Sequence, residues 1–448
     1  DAVINHASAQ GGWFKAFLRN EEPYRDYFIV VDKDVDLSKV VRPRALPLLH
    51  SFGEPPDDQL IWTTFSADQV DLNYRSPQVL LEIIDLLLYY ISMGADFIRL
   101  DAVAYLWKEI GTPCIHLPQT HLVIQLFRAV LDDVAPQVKL ITETNVPHKD
   151  NISYFGDGHN EAQLVYNFAL PPLVLHTFYT GSAGQLSKWA GSINPPSGQV
   201  TFLNFLASHD GIGLNPVREI LSDQAIDAMT QRVLMNGGLV SYKQNSDGTK
   251  SPYELNINYF DALSNPGRHE SLEIQVDRFM AAQVIMLSLA GMPGIYFHSI
   301  FGSRGWLAGV EKTGNNRAIN RQRFTVEEIE RHKVFARYQA LLRARMASQA
   351  FHPYGAQTIL EYDDAVFAIV RRSPQAAETV LCIINVTDRS QTISLDLGNI
   401  FGFIHKEVDI VDLISGQRLL YEQTNSTLRL LPYQSCWLAR KQDKATGH

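Results

Sequence analysis

Arg99 and Asp101 stand two residues apart in the apolar run FIRLDAVAY. On a strand, residues i and i+2 share one face, so the guanidinium and the carboxylate are neighbours. A nearby positive charge favours the ionised carboxylate. An ionised carboxylate held in place can serve as a covalent nucleophile. Glu143 ends a second apolar run, VKLITETN. An acid emerging from such a run is placed to carry a raised pKa and to donate a proton. Asp210 follows His209 in FLASHDG, and His6 follows Asn5 in DAVINH. Taken singly, each has a bland reading. An Arg–Asp pair is often structural, a glutamate after a strand can cap a helix, and His-Asp is a common dipeptide. Taken together, three carboxylates and two histidines fall at four strand ends. Glycoside cleavage needs a pair of carboxylates across one sugar.

The elements that must position these residues recur along the chain. Short apolar strands are expected at 1–6, 96–103, 138–145, 162–170, 202–211 and 291–299, with helix-like stretches such as SPQVLLEIIDLLLYYISMGA and HLVIQLFRAVLDDV between them. Strands alternating with helices indicate parallel βαβ units. Polar residues at the C-terminal ends of several strands point to a (β/α)8 barrel, because a doubly wound sheet concentrates its site at one switch point. Six strands are countable; the first two of a barrel are expected before Asp1, so the chain reads as part of a longer protein. Long segments at 7–72 and 211–270 are expected to shape a pocket or lid. From about residue 348 the texture becomes short strands and turns, which predicts an antiparallel β domain over 348–448. The end, KQDKATGH, is expected to fray.

Composition narrows the partners. The 448 residues carry a formal net charge of -9, which disfavours nucleic acid and anionic membranes. No apolar run is long enough to cross a bilayer. Three widely spaced cysteines, Cys114, Cys382 and Cys436, fit neither a disulfide framework nor a zinc site, and point to the cytoplasm. The acids of 7–72 lack the spacing of a calcium loop, so no metal is expected.

DAVINH, FIRLDAVAY, ITETN and FLASHDG resemble, in order, the four short sequence regions of glycoside hydrolase family 13, the α-amylase family. QVDLNY, at 69–74, resembles that family's accessory region. The resemblance implies a (β/α)8 barrel with a domain inserted after the third strand, here 7–72, and a C-terminal β domain. It implies Asp101 as nucleophile, Glu143 as general acid/base and Asp210 as the acid that orients sugar hydroxyls. It implies Arg99 as support for the nucleophile and His6 and His209 as sugar ligands, with Asp1 and Asn5 in supporting roles. YNFALPPLVLHTF, SHDGIGLNP and NRAINRQRFTVEEI are similar to the sucrose-phosphorylase-like branch, where the arginine matching Arg321 closes the glucose pocket against an aspartate of the first strand region, which this chain lacks.

Within that branch, ETNVPHKDNISYFGDG and GLVSYKQNSDGTKSPYELNINYFDAL resemble glucosylglycerate phosphorylases more than sucrose phosphorylases. This implies double displacement with retention, with inorganic phosphate as co-substrate, no cofactor, and α-glucose 1-phosphate as product. The two catalytic carboxyls are then expected roughly 5–5.5 Å apart. Sucrose, sucrose 6-phosphate and glucosylglycerol phosphorylases, and an α-glucoside hydrolase, are the alternatives; a non-catalytic amylase-fold protein ranks below them because all three acids are present. Phosphate and glycerate are anions and need cationic or hydrogen-bonding groups. Tyr242, Lys243, Lys250 and Tyr253 are candidates, Lys243 foremost. Phe65, Tyr105 and Phe155 are candidate walls against the sugar ring, or else core residues.

Overall fold

A computed structural model describes the chain except residues 44–45, 54–57, 245–248, 266, 329–332, 403–407, 422–426 and 441–448. The end expected to fray, 441–448, lies outside the described residues, as does the centre of the 211–270 segment at 245–248. The chain divides into two compact units. Unit 1 comprises Asp1–Tyr166, Pro195–Val200 and Tyr242–Tyr253; unit 2 comprises Asn167–Asn194, Thr201–Ser241 and Glu254–His448.

Unit 1 holds four parallel strands: β1 (Ala2–Val3), β2 (Phe97–Asp101), β3 (Lys139–Thr142) and β4 (Leu164–Tyr166). Helix α1 (Pro77–Ser92) precedes β2, and α2 (Pro118–Val134) precedes β3. Both open on proline at the first turn, where its missing N–H costs nothing and its φ is already helical. α1 buries Val79, Ile83 and Leu87, one stripe at a four-residue spacing. α2 buries Val123, Ile124, Phe127 and Leu131 in the same way. These stripes cover the strands and leave the strand ends for polar residues.

Register decides which strand ends meet. Leu100 pairs with Thr142, and the Glu143 amide donates to the Leu100 carbonyl at 3.1 Å. Asp101 and Glu143 therefore stand level at the ends of adjacent strands. Ahead of β2, the insertion is tied down by His6–Ser8, which pairs antiparallel with Gln69–Asp71, and by a small sheet of Val30–Val31, Leu49–Phe52 and Gln59–Trp62.

Unit 2 contains the parallel pair β5 (Thr201–Asn204) and β6 (Met292–Pro293). All six strands expected from the alternation are therefore present. Its helices include α3 (Leu170–Thr180), α4 (Asp223–Met235), α5 (Leu272–Ser288) and α6 (Lys333–Met346). The tail forms the expected antiparallel sheet from β7 (Ala356–Leu360), β8 (Val366–Arg372), β9 (Thr379–Asn385), β10 (Val408–Asp412), β11 (Arg418–Tyr421) and β12 (Ser435–Arg440). One face of that sheet, with Phe367, Ile369, Cys382, Ile384 and Trp437, joins the core built around α3 and α5. The other, with Val366, Val370, Leu381 and Ile383, packs on Ile393 and Leu395.

The seam between α5 and the tail is polar as well as apolar. Arg371 is fully buried and donates to the carbonyls of Ser288, His352, Gly355 and Ala356. Burial pushes its pKa down to about 10, yet it remains charged at neutral pH. One of those carbonyls, that of Ser288, is left open at the end of α5, where the helix dipole is negative.

Candidate active site

In unit 1 the candidate residues converge on Arg99. Its Nη1 donates to Asp101 Oδ1 at 2.9 Å and to Asp1 Oδ1 at 2.7 Å, and its Nη2 lies 3.9 Å from Glu143 Oε2. The Tyr166 ring lies under the guanidinium, 5.4 Å from centroid to Cζ. Burial pulls the Arg99 pKa down, but Glu143, Tyr166 and Asp101 outweigh it, and the net shift is upward. The cation is permanent, and Asp101 is the acid of the pair that it touches more closely.

Glu143 is held from the other side. The Ala102 amide donates to Glu143 Oε2 at 3.1 Å. Ala102 has φ 52° and ψ 34°, a left-handed conformation that costs a residue with a Cβ about 1–2 kcal/mol. The chain turns sharply there, directly after Asp101, and aims an N–H at the neighbouring acid. Strain of this kind collects at functional sites because the surroundings over-determine it.

His6 is fixed from three directions. Asn5 Nδ2 lies 3.3 Å from its Nδ1, Gln69 Nε2 lies 2.8 Å from its Nε2, and the Phe65 ring sits 5.5 Å away. Phe65 meets Tyr105 edge-on at 5.4 Å. Burial pushes the Tyr105 phenol well up, and Tyr253 and Glu143 add to the shift. Phe65, Tyr105 and Tyr253 therefore belong with Glu143. Phe155 is fully buried, and for it the core reading holds. Tyr242 is exposed and Lys243 half-buried on the strand Leu239–Gln244, next to the strand of Tyr253, while Lys250 is exposed.

Beneath His6 lies an ion pair that sequence reading missed. Lys108 Nζ contacts Asp71 Oδ2 at 2.5 Å and donates to Asn5 Oδ1 at 3.0 Å. Asp71 also accepts from Asn5 Nδ2, the Thr64 amide and the Thr64 hydroxyl. Burial drives the Lys108 pKa down, opposed by Asp71.

In unit 2 the candidate residues gather on Asp210. Arg321 Nη2 and Arg317 Nη1 each reach its Oδ1 at 2.8 Å, and Arg321 Nε donates to the His209 carbonyl at 2.8 Å. His209 Nε2 lies 3.6 Å from the same carboxylate oxygen. Arg321 is thus engaged by Asp210. Arg317 and Glu254 were missed. Arg317 clamps Glu254 with Nε at 3.0 Å and Nη2 at 2.6 Å, and Glu254 Oε1 accepts the Gly211 amide at 2.8 Å. Gly211 is glycine for space: a Cβ there would meet the Leu255 carbonyl oxygen at 2.6 Å. The one legible signal for Arg317 was its four-residue spacing from Arg321 in NRAINR.

Burial pushes the Asp210 carboxyl up, but Arg317, His209 and Arg321 together overcome it and hold it below its ordinary value. A carboxyl depressed in the folded state contributes stability above its unfolded pKa of about 3.9 and loses it as pH falls through the lower, folded value. With Arg317→Met the burial effect gains weight. Acid unfolding, followed by circular dichroism, is expected to move to higher pH; an unchanged acid midpoint would contradict the pairing.

Among the described residues no group of His, Cys, Asp and Glu is arranged to hold a metal ion, and no helix is long and apolar enough to cross a membrane.

The chain is similar to known proteins over most of its length. The α-amylase catalytic domain pattern matches residues 1–193. A glucosylglycerate phosphorylase of Spirochaeta thermophila is 50% identical over 456 residues, covering 99% of this chain and 77% of that protein. A sucrose phosphorylase of Agrobacterium vitis is 28% identical over 379 residues, covering 79% and 72%. The crystal structure of a sucrose 6F-phosphate phosphorylase from Thermoanaerobacter thermosaccharolyticum superposes with a TM-score of 0.75 at 23% identity, covering 94% of this chain and 81% of that one. The fold is that of the (β/α)8 barrel with a C-terminal β domain.

Proposed function

Because the chain belongs to the α-amylase family, glycoside hydrolase family 13, we propose that it is a retaining glycoside phosphorylase that cleaves glucosylglycerate with inorganic phosphate to α-glucose 1-phosphate. The observation that carries the chemistry is the level placement of Asp101 and Glu143 on adjacent strands around one guanidinium. Neighbouring strands run about 4.8 Å apart. Level side chains at that spacing are compatible with the roughly 5–5.5 Å between carboxyl groups that covalent double displacement needs.

Asp101 attacks the anomeric carbon while Glu143 gives its proton to the departing glycerate oxygen. A phosphate oxygen then attacks the β-glucosyl ester from the vacated side as Glu143 takes back a proton. Two inversions restore the α configuration. Asp210 holds sugar hydroxyls, His6 and His209 bind the ring, and Arg321 stands with Asp210. Asp1, Arg99 and Ala102 position the two reacting acids. No cofactor or metal enters these steps. In this reading residues 1–347 are the catalytic barrel, with 7–72 and 211–270 shaping the pocket, and 348–448 are the β domain. The three cysteines, free and buried, fit a reducing cytoplasm.

Likeness to phosphorylases separates this reading from hydrolysis, and the far higher identity to the glucosylglycerate enzyme separates it from sucrose cleavage. A phosphate-dependent assay with glucosylglycerate, sucrose and glucosylglycerol tests both. Glucosylglycerate is expected to be the preferred donor; preference for sucrose would contradict the assignment. Tyr242 and Lys243 are assigned to the acceptor anion. Lys243→Ala is expected to slow phosphate and glycerate use by about tenfold, the worth of one charge-assisted hydrogen bond, and to leave background hydrolysis nearly unchanged. Equal losses in both reactions would refute the assignment.

A further inference from the structure

Unit 2 contains a large open cavity, about 930 Å³, between the end of α3, one face of α4 and the segment that follows β9. Four arginines line it: Arg232, Arg268, Arg278 and Arg389. Two carboxylates, Glu270 and Asp388, answer them. Arg278 is fully spoken for. It grips Glu270 at 2.6 and 3.0 Å and stacks on Tyr433 at 4.8 Å. Arg268 holds Asp388 at 2.9 Å and is largely exposed at the rim.

Arg232 is different. Among the described residues no carboxylate lies within ion-pair range of it, and its Nε is buried without a hydrogen-bond partner. The Tyr179 ring lies 5.8 Å from its charge. His176 lines the same wall, and its buried Nδ1 also lacks a partner. Burial lowers the His176 pKa, so the ring is neutral and supplies a hydrogen bond rather than a charge. A buried donor left unmade costs about 1–3 kcal/mol, so such groups are generally kept for a partner. Gln224, Thr387 and Gln391 add amide and hydroxyl groups at the rim. A guanidinium with no carboxylate partner among the described residues, here that of Arg232, suits phosphate. The amides and hydroxyls suit a hydroxyl-rich body, and the volume exceeds that of a hexose phosphate.

We propose that this cavity is a second binding site, separate from the catalytic strand ends, for a phosphorylated sugar or polyol. Arg232 and Arg268 receive the phosphate, and His176, Gln224 and Gln391 receive hydroxyls.

The test is calorimetric titration with glucose 6-phosphate, whose phosphate is away from the anomeric carbon. Wild type is expected to bind it and to ignore unphosphorylated glucose at this site. Arg232→Gln is expected to weaken that binding by about tenfold or more with turnover unchanged, and Lys243→Ala to leave it intact. Arg268→Gln, a surface change that spares the fold, is expected to weaken it several-fold even if Arg232→Gln proves unstable. No binding by wild type would overturn the proposal. So would binding that both arginine variants leave intact, or a single event that Lys243→Ala abolishes and Arg232→Gln does not.

Discussion

Asp101→Asn is expected to lower turnover of the α-glucoside by more than about 10⁴-fold while leaving stability within about 1 kcal/mol. Asparagine preserves the shape of the side chain and an oxygen for the 2.9 Å bond from Arg99. It removes the negative charge and, with it, the nucleophile. Arg99 does not become an orphaned cation, because Asp1 remains at 2.7 Å and Glu143 at 3.9 Å. The site is also partly open to water, with a quarter of the Asp101 side chain exposed. A purely structural Arg–Asp pair would behave in the opposite way. It would lose stability when broken and retain its rate. Thermal melts and initial rates on the same preparation separate the two. Turnover within about tenfold of wild type would show that Asp101 is not the nucleophile.

Lys108→Met is expected to destabilise the protein by about 3–5 kcal/mol, because it leaves the Asp71 charge buried and unanswered. Both side chains are almost wholly inaccessible, 3% for Lys108 and 0% for Asp71. An apolar replacement of both partners is often neutral elsewhere, but not here. Asp71 also satisfies the Thr64 amide and hydroxyl and the Asn5 amide, so removing it strands three donors. The second substitution that should help is Asp71→Asn. It takes away the charge and keeps an oxygen for the Thr64 amide, so Lys108→Met with Asp71→Asn is expected to recover at least about 1 kcal/mol. Asp71 also pairs in register with His6. The single variant should therefore raise KM for the sugar more than it lowers kcat. Denaturant unfolding reads the stability; a change below about 0.5 kcal/mol would mean that the pair holds nothing together.

The candidate residues that the sequence marks share one property. Asp101, Glu143, Asp210 and His6 break apolar runs of the sequence, and a polar group there is conspicuous because it is costly. In the structure Asp101 ends β2, Glu143 follows β3, and Asp210 lies beyond the end of β5, which stops at Asn204 and not at 211. Alternation of strand and helix located them, and the Leu100–Thr142 register placed two of them level. What was not legible comes from elsewhere in the chain. Arg317 meets Asp210, and Glu254 meets Arg317, only through the fold, and neither lies in an apolar run that would mark it. Lys108 sits in YLWKEI, where a lysine reads as one turn of solvated surface. Its burial is visible only once Asp71 and Asn5 are brought under it. Arg232 hides in the same way on α4, whose exposed residues make an arginine ordinary. For Phe155 the sequence leaves two readings open, sugar wall or core, and burial favours the core.

The configuration of the first product tests the central claim most directly. The protein is incubated with glucosylglycerate and inorganic phosphate, and the anomeric proton is followed by nuclear magnetic resonance from the earliest time points. The account predicts that α-glucose 1-phosphate appears first and only when phosphate is present. A β-phosphate would contradict double displacement by Asp101 and Glu143. Free glucose released at the same rate with and without phosphate would contradict phosphorolysis.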